Sequence, residues 1–429
     1  MLKINYYQLN RVMKMHLFKH IAPLFIIVPF LLSSCKKKDE TTAPNANTTP
    51  PVYTSNTIWE KYLGYLTTVP YLPDAYSNYF VYSFARPNNG TAIKLTGKFA
   101  NARYMSINVY DQKAGDVIGA ISDLFIKPDA GSVNSYVPGF DASNQNRTFT
   151  VDIVPTGTDT AGLTNPIVFS SGIDSISIFI RYYLPTGDDL GGVELPTITM
   201  SEASTNAAVA IPSNESGGLI AWDSTRITNA YKLVPYLNDT IRAVRTAPSA
   251  AFPNGDTEYI SIPVIIDSAT QVAVIKFKPP TYPASSNENG KTEVRYFSLN
   301  QGDHNSYNYG GIYDKNFANP AKDGFVYVIM CSKDAAIEAK IASLGGTTMI
   351  WTVPDTRTLL LYRYILADSS FSGNMKNVKI FDSSNSLVAL QSLRANDAVV
   401  AMGDYAPRGI MVSKDSLLRT VDITKLIPF

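Results

Sequence analysis

The chain has 429 residues, with 37 Lys and Arg against 36 Asp and Glu, and 45% of it is hydrophobic. That length suits two or three domains, and the near-neutral balance excludes a basic nucleic-acid binder. Two cysteines and three histidines exclude a disulfide scaffold and a histidine-rich zinc or copper site.

Residues 1–34 read as a leader. Lys3, Arg11, Lys14 and Lys19 precede an apolar run from Ile21 to Leu32, and the segment holds no acid. The run is about a dozen residues, short of the roughly 20 that a spanning helix needs. A basic segment before such a run is a signal peptide; a start at Met13 or Met15 would shorten it. The run ends in Leu32-Ser33-Ser34-Cys35, which resembles the lipobox of bacterial lipoproteins: an aliphatic residue, two small ones, then the cysteine that takes the lipid. The resemblance implies cleavage before Cys35, lipidation of Cys35 and a membrane partner, the outer membrane of the cell envelope. Lys36-Lys37-Lys38-Asp39-Glu40 cannot enter a bilayer core, and is similar to the surface-export signal of Bacteroidetes lipoproteins. The Thr, Pro and Asn of residues 41–55 bury little apolar surface, so 35–55 is expected to be a disordered tether.

Beyond the tether, 26 Tyr, 26 Gly and 26 Pro favour sheet with many turns. A helix is expected over Ile58–Leu66, then strands over Thr148–Val154 and Ile176–Leu184. A connecting helix is expected from about Ala221 to Val234, with Ile227, Ala230, Tyr231 and Val234 on one face. Strands follow at Val272–Phe277, closed by Pro279-Pro280, at Phe325–Cys331 and at Leu359–Leu366. Between the last two, Ser332 can cap a helix whose Ile337, Ile341 and Leu344 share a face and which Gly345 stops.

The body contains itself twice. Arg103-Tyr104-Met105-Ser106-Ile107-Asn108 matches Arg295-Tyr296-Phe297-Ser298-Leu299-Asn300, and Asp123 and Asp314 follow at 20 and 19 residues. Pro128-Asp129-Ala130-Gly131 matches Lys322-Asp323-Gly324. Phe169 lies 12 residues before Arg181, as Trp351 does before Arg363. Repeats this long are duplicated domains, not a solenoid. The expected architecture is mainly β: two duplicated antiparallel β-sandwich (jelly-roll-like) domains, 56–205 and 256–429, with a few short helices and a helical connector at 206–255.

The Arg-Tyr-aromatic-Ser run, the later Asp and Asp-Gly, Trp351 and the strand ending near Arg363 resemble a bacterial β-sandwich family, the domain of unknown function number 1214, often found beside number 1254. The match covers roughly 291–366 and, more weakly, 98–184, with Phe297 where Trp is usual. The family carries no established activity, so the resemblance implies a fold and leaves the chemistry to the residues.

That chemistry is sparse. Past the leader the only histidine is His304, beside Asp303. A serine triad would need His304 as its base, and there is no Gly-x-Ser-x-Gly elbow to supply the nucleophile. No phosphate-cradling Gly-rich loop and no metal-site or cofactor motif is present. Cys331 ends an apolar strand and reads as a buried hydrophobe. Arg103, Arg181, Arg295 and Arg363 lie in apolar strands and need partners, since an unpaired buried charge is prohibitive; Asp123 and Asp314 are expected to serve within each sandwich. Asp303, His304, Tyr307 and Tyr309 are the candidate ligand-binding residues. The leading reading is a non-catalytic envelope protein that binds a glycan, a small ligand or another envelope protein. One alternative is a polysaccharide hydrolase or lyase built on carboxylates, with Asp303, His304, Asp188 and Asp189 first to test; the other is a structural envelope protein.

Overall fold

The computed structural model describes residues 54–55, 58–63, 72–215 except 87 and 89, 240–245, 252–303 except 267, 307–351, 357–381, 391 and 394–427. Cys35 and the leader lie outside these residues, as do His304 and the connecting helix expected at Ala221–Val234.

The described residues are mainly β. The first copy holds β1 (Thr54–Ser55), β2 (Glu60–Leu63), β3 (Ser77–Ala85), β4 (Thr91–Lys98), β5 (Tyr104–Asp111), β6 (Val117–Ser122), β7 (Thr148–Pro155), β8 (Pro166–Phe169), β9 (Ser175–Tyr183), β10 (Thr197–Glu202) and β11 (Ala208–Val209). The second holds β12 (Thr240–Arg242), β13 (Thr257–Ile265), β14 (Gln271–Phe277), β15 (Tyr296–Asp303), β16 (Asn308–Tyr313), β17 (Val326–Cys331), β18 (Thr347–Trp351), β19 (Arg357–Ile365) and β20 (Arg408–Ser413).

The duplication is reproduced in nine matched strands, with β2 and β11 of the first copy lacking a counterpart among the described residues. One sheet of the first copy runs β1-β10-β4-β7-β8, and its counterpart runs β12-β20-β14-β17-β18. The other runs β2-β3-β9-β5-β6, against β13-β19-β15-β16. Both copies place one parallel pair in the first sheet, β7 with β8 and β17 with β18, so the sandwiches are not purely antiparallel. Phe169 and Trp351 close these pairs opposite Pro155 and Cys331. Both copies also carry a β-bulge at the same place, opposite Val109/Tyr110 and opposite Gln301/Gly302.

Each copy packs its two sheets around an apolar core. Phe80, Tyr82, Met105, Ile107, Val151, Ile178 and Ile180 fill the first; Ile260, Ile275, Phe297, Leu299, Val328, Leu360 and Tyr362 fill the second. The strands β3, β5, β9 and β15 are buried on both faces almost throughout. Their second faces meet between the copies, where Tyr104, Tyr183, Tyr296 and Ile365 form one cluster. The outer faces have diverged. In the first copy Lys94, Thr96 and Lys98 of β4 are exposed. In the second, Val272, Val274 and Ile329 are covered by Ile337 and Ile341 of the helix Ala335–Ala342 and by Leu417 of Lys414–Arg419. That first helix has the expected apolar face, but its cap is Asp334, whose carboxylate accepts from the amides of Ala336 and Ile337. Ser332 lies two residues too early.

Three other sequence expectations change. Glu60–Leu63 is not helical: it is an extended edge strand paired with β3, a frequent outcome for a short apolar run that either period fits. The tether ends before residue 54, because Thr54 and Ser55 pair with β10. The described ends of the 206–255 connector are strands, β11 joining the first copy and β12 the second.

The copies are locked by exchanged segments. Leu72-Pro73-Asp74-Ala75-Tyr76 leads into β3, and Phe252-Pro253-Asn254-Gly255-Asp256 leads into β13. Leu72 packs on Leu359 and Leu361 of the second copy. Phe252 packs on Val81, Tyr110 and Phe179 of the first, stacked on Phe179 at 5.1 Å. Phe252→Ala is therefore expected to lower unfolding free energy by about 3–5 kcal/mol, the cost of deleting a buried ring. Denaturant unfolding measures it, and a loss below about 1 kcal/mol would show that the plug is not seated.

Candidate functional site

The repeat landmarks converge on the layer between the copies. Arg103 and Arg295 stand just before β5 and β15, and Asp123 and Asp314 just after β6 and β16. The sequence suggests pairing within each sandwich; the structure crosses it. Arg295 Nη2 donates to Asp123 Oδ1 at 2.6 Å, and Arg103 Nη1 to Asp314 Oδ2 at 3.0 Å. Both carboxylates are fully buried. Each of these pairs joins one copy to the other. Such reciprocity, i to j and j to i, is the mark of an isologous two-fold contact. It is geometrically natural here, because each Arg projects from the rim of its own sheet across the interface. Asp123 Oδ2 also accepts the amide of Met105 at 2.8 Å, and Arg295 Nε donates to the carbonyl of Arg103 at 3.0 Å.

A second reciprocal set surrounds Arg181 in β9 and Arg363 in β19. Arg363 Nη2 donates to the carbonyl of Leu72, and Arg181 Nη2 to that of Phe252. Leu72 and Phe252 have φ of +44° and +52°, and Leu184 and Leu366, which follow β9 and β19, have +48° and +47°. Bulky residues avoid that region at a cost of order 1–3 kcal/mol each. Four of them at two matched positions mean that the surrounding contacts outweigh the strain. The exchanged segment is then fixed by side chains from the opposite copy. Asn300 Oδ1 accepts from Ala75 N and Asn108 Oδ1 from Gly255 N. Tyr296 donates to Asp74, and Tyr104 to Asp256.

The two centres differ in where the acid sits. Asp74 is fully buried, lies 3.4 Å from Arg363 and accepts from Ser298 Oγ. The matching residue near Arg181 is Asn254, and the acid has moved to Asp256. Arg181 instead lies 5.1–5.5 Å from the rings of Tyr79, Tyr110 and Phe179. Asp74, Asn254 and Asp256 escape the landmark reading. Extending the repeat upstream would find them: the tyrosines Tyr79 and Tyr259 follow Asp74 and Asn254 by five residues, and their hydroxyls accept from the amides of those two residues.

The candidate ligand loop is less open than its composition suggests. Asp303 is buried; it accepts the amide of Tyr307 at 3.2 Å and the hydroxyl of Tyr309 at 3.1 Å. It ties the end of β15 to the start of β16. Tyr309 sits at the bulge and is 52% exposed. Asp189 binds Lys61, and Asp188 accepts the amides of Leu190 and Gly192, so that acidic pair shapes a turn. Cys331 is buried, and burial pushes its thiol up to about 11. No cluster of metal-ligating side chains occurs among the described residues.

No family model and no curated protein matches the chain. Among solved structures, an uncharacterised protein from Burkholderia cenocepacia is similar at 11% identity and TM-score 0.46, over 80% of this chain and 78% of that one. A Vibrio parahaemolyticus protein is similar at 10% identity and TM-score 0.37, over 69% of this chain and 86% of that one. Scores this low carry no functional argument.

Burial pushes the carboxyls of Asp123 and Asp314 up to about 6, with Arg295 and Arg103 pulling each the other way. Raised carboxyls bind protons better folded than unfolded. Their contribution is therefore full below the ordinary value of 3.8 and is lost as pH rises through about 6. Melting temperature against pH should fall across that window, and the fall should flatten in the double variant Asp123→Asn, Asp314→Asn. An unchanged profile would remove these groups from the account. Arg295→Met, which strands a buried carboxylate, is expected to cost about 3–5 kcal/mol at neutral pH. Its cost should shrink in acid as Asp123 takes up a proton.

Proposed function

We propose that this protein is a lipid-anchored component of the bacterial cell envelope that binds a glycan, a small ligand or another envelope protein without transforming it. Membership of the β-sandwich family numbered 1214, with its companion 1254, is part of the same reading. The observation that carries the non-catalytic side is the engagement of the acids. Asp74, Asp123, Asp256 and Asp314 are each held by an Arg or a Tyr hydroxyl across the copies. A glycosidase pair must instead flank a substrate. The copies form one platform, and the exposed ring of Tyr309 on it is an aromatic surface that can stack on a ligand, as is that of Phe125.

Thermal shift of the purified chain against a glycan and calcium panel tests the reading. A binder raises the melting temperature with concentration, and Tyr309→Ala should abolish that rise; because it also takes a hydrogen-bond partner from the buried Asp303, its ligand-free stability is expected to fall by about 1–3 kcal/mol. Turnover of any panel glycan would instead establish an enzyme. For the anchor, Cys35→Ser should move the protein from the membrane fraction to the soluble one; unchanged membrane association would remove the lipid from the proposal.

A further inference from the structure

The two Arg centres are built alike but are charged differently. Arg363 has the Asp74 carboxylate within 3.4 Å. Arg181 is 3% exposed, its Nη1 has no hydrogen-bond partner, and the acid of its centre, Asp256, is hydrogen-bonded to Tyr104 and feels Arg181 only at longer range. The residue at the position of Asp74 is Asn254, itself 3% exposed, and it is followed by Gly255. Asn-Gly is the dipeptide in which the main-chain nitrogen meets least hindrance in attacking the side-chain amide. Here glycine is also required by packing, since a Cβ at 255 would lie 2.7 Å from that of Ala120.

We propose that Asn254 is a deamidation site, and that its product, an aspartate, gives Arg181 the counter-ion that Asp74 gives Arg363. The Gly255 nitrogen attacks Asn254 Cγ and loses its proton to water. The new N–Cγ bond closes a five-membered imide, the Cγ–Nδ2 bond breaks, and ammonia leaves. Water then adds at Cγ, the N–Cγ bond breaks, and the chain is restored with a carboxylate at 254. Negative charge develops on Oδ1 during attack. That atom already accepts the amide of Asp256 and the hydroxyl of Tyr104, each at 3.2 Å, and Arg181, bonded two residues upstream to the Phe252 carbonyl, adds the field of its cation, so the charge is stabilised as it forms. Opening at the main-chain carbonyl would insert an extra methylene into the backbone. The bond from Gly255 N to Asn108 Oδ1, at 2.8 Å, and that from Arg181 to the Phe252 carbonyl, also at 2.8 Å, fix that backbone on both sides. The product is therefore the α-linked aspartate.

The test is to incubate the full chain at neutral pH and map it by mass spectrometry with fragmentation that separates aspartate from isoaspartate. Asn89-Gly90 and Asn289-Gly290 serve as comparators within the same molecule. The expected result is α-aspartate at 254, formed about tenfold more slowly in Arg181→Met, less than the roughly hundredfold of losing a bonded oxyanion donor because Arg181 acts through its field alone. The aged chain should melt with Asn254→Asp, above the fresh wild type. If Arg181→Met does not fold, the isomer ratio and the Asn254→Asp melt still decide. Three results overturn the proposal: an intact amide at 254 while a comparator converts, an isoaspartate-dominated product, or an Asn254→Asp chain that melts below wild type.

Discussion

The crossed ion pairs, Arg295 with Asp123 and Arg103 with Asp314, are the constraint on which the rest of this structure depends. Both acids are fully buried, so each requires its Arg, and each Arg comes from the other copy. A buried charge without its partner costs several kcal/mol. The copies therefore cannot separate without exposing or stranding both pairs, and they behave as one body. The continuous burial of β3, β5 and β9 follows, since their second faces are interior only while the copies stay together.

The exchanged segments carry the same logic into the backbone. Leu72 and Phe252 take left-handed φ values that bulky side chains avoid, and in return their carbonyls meet Arg363 and Arg181. The strain, the Arg and the plug recur in both copies. A feature kept at matched positions in two divergent copies answers a common geometry, the two-fold contact. Where the copies have no common contact they have drifted. The outer face of one first-copy sheet keeps Lys94, Thr96 and Lys98 in water, while its counterpart is apolar and is covered by helices.

Much of this was legible in the sequence. The duplication, the strands at 148–154, 176–184, 272–277, 325–331 and 359–366, and the apolar face of the helix after β17 follow from period and landmark spacing. The identity of the partners did not. In a duplicated chain Arg103 has two equivalent acids to choose from, Asp123 nearby and Asp314 far along, and nothing in the pattern distinguishes them. The exchanged segments were missed because five residues of irregular chain have no period to read. Ser332 and Asp334 are both good caps, and only the backbone decides between them. At the candidate loop, composition points to Asp303 and Tyr309, but not to their bonding to each other, which makes an apparent site acid a clamp between two strands.

The central claim is that charge pairing runs between copies, not within them. A double-mutant cycle on Arg295→Met and Asp123→Asn, read by denaturant unfolding, tests it most directly, with Arg103→Met and Asp123→Asn as the within-copy cycle. The account predicts a coupling of about 1–3 kcal/mol for the first cycle and a clearly smaller one for the second. Additivity in the first cycle, or the larger coupling in the second, would contradict it.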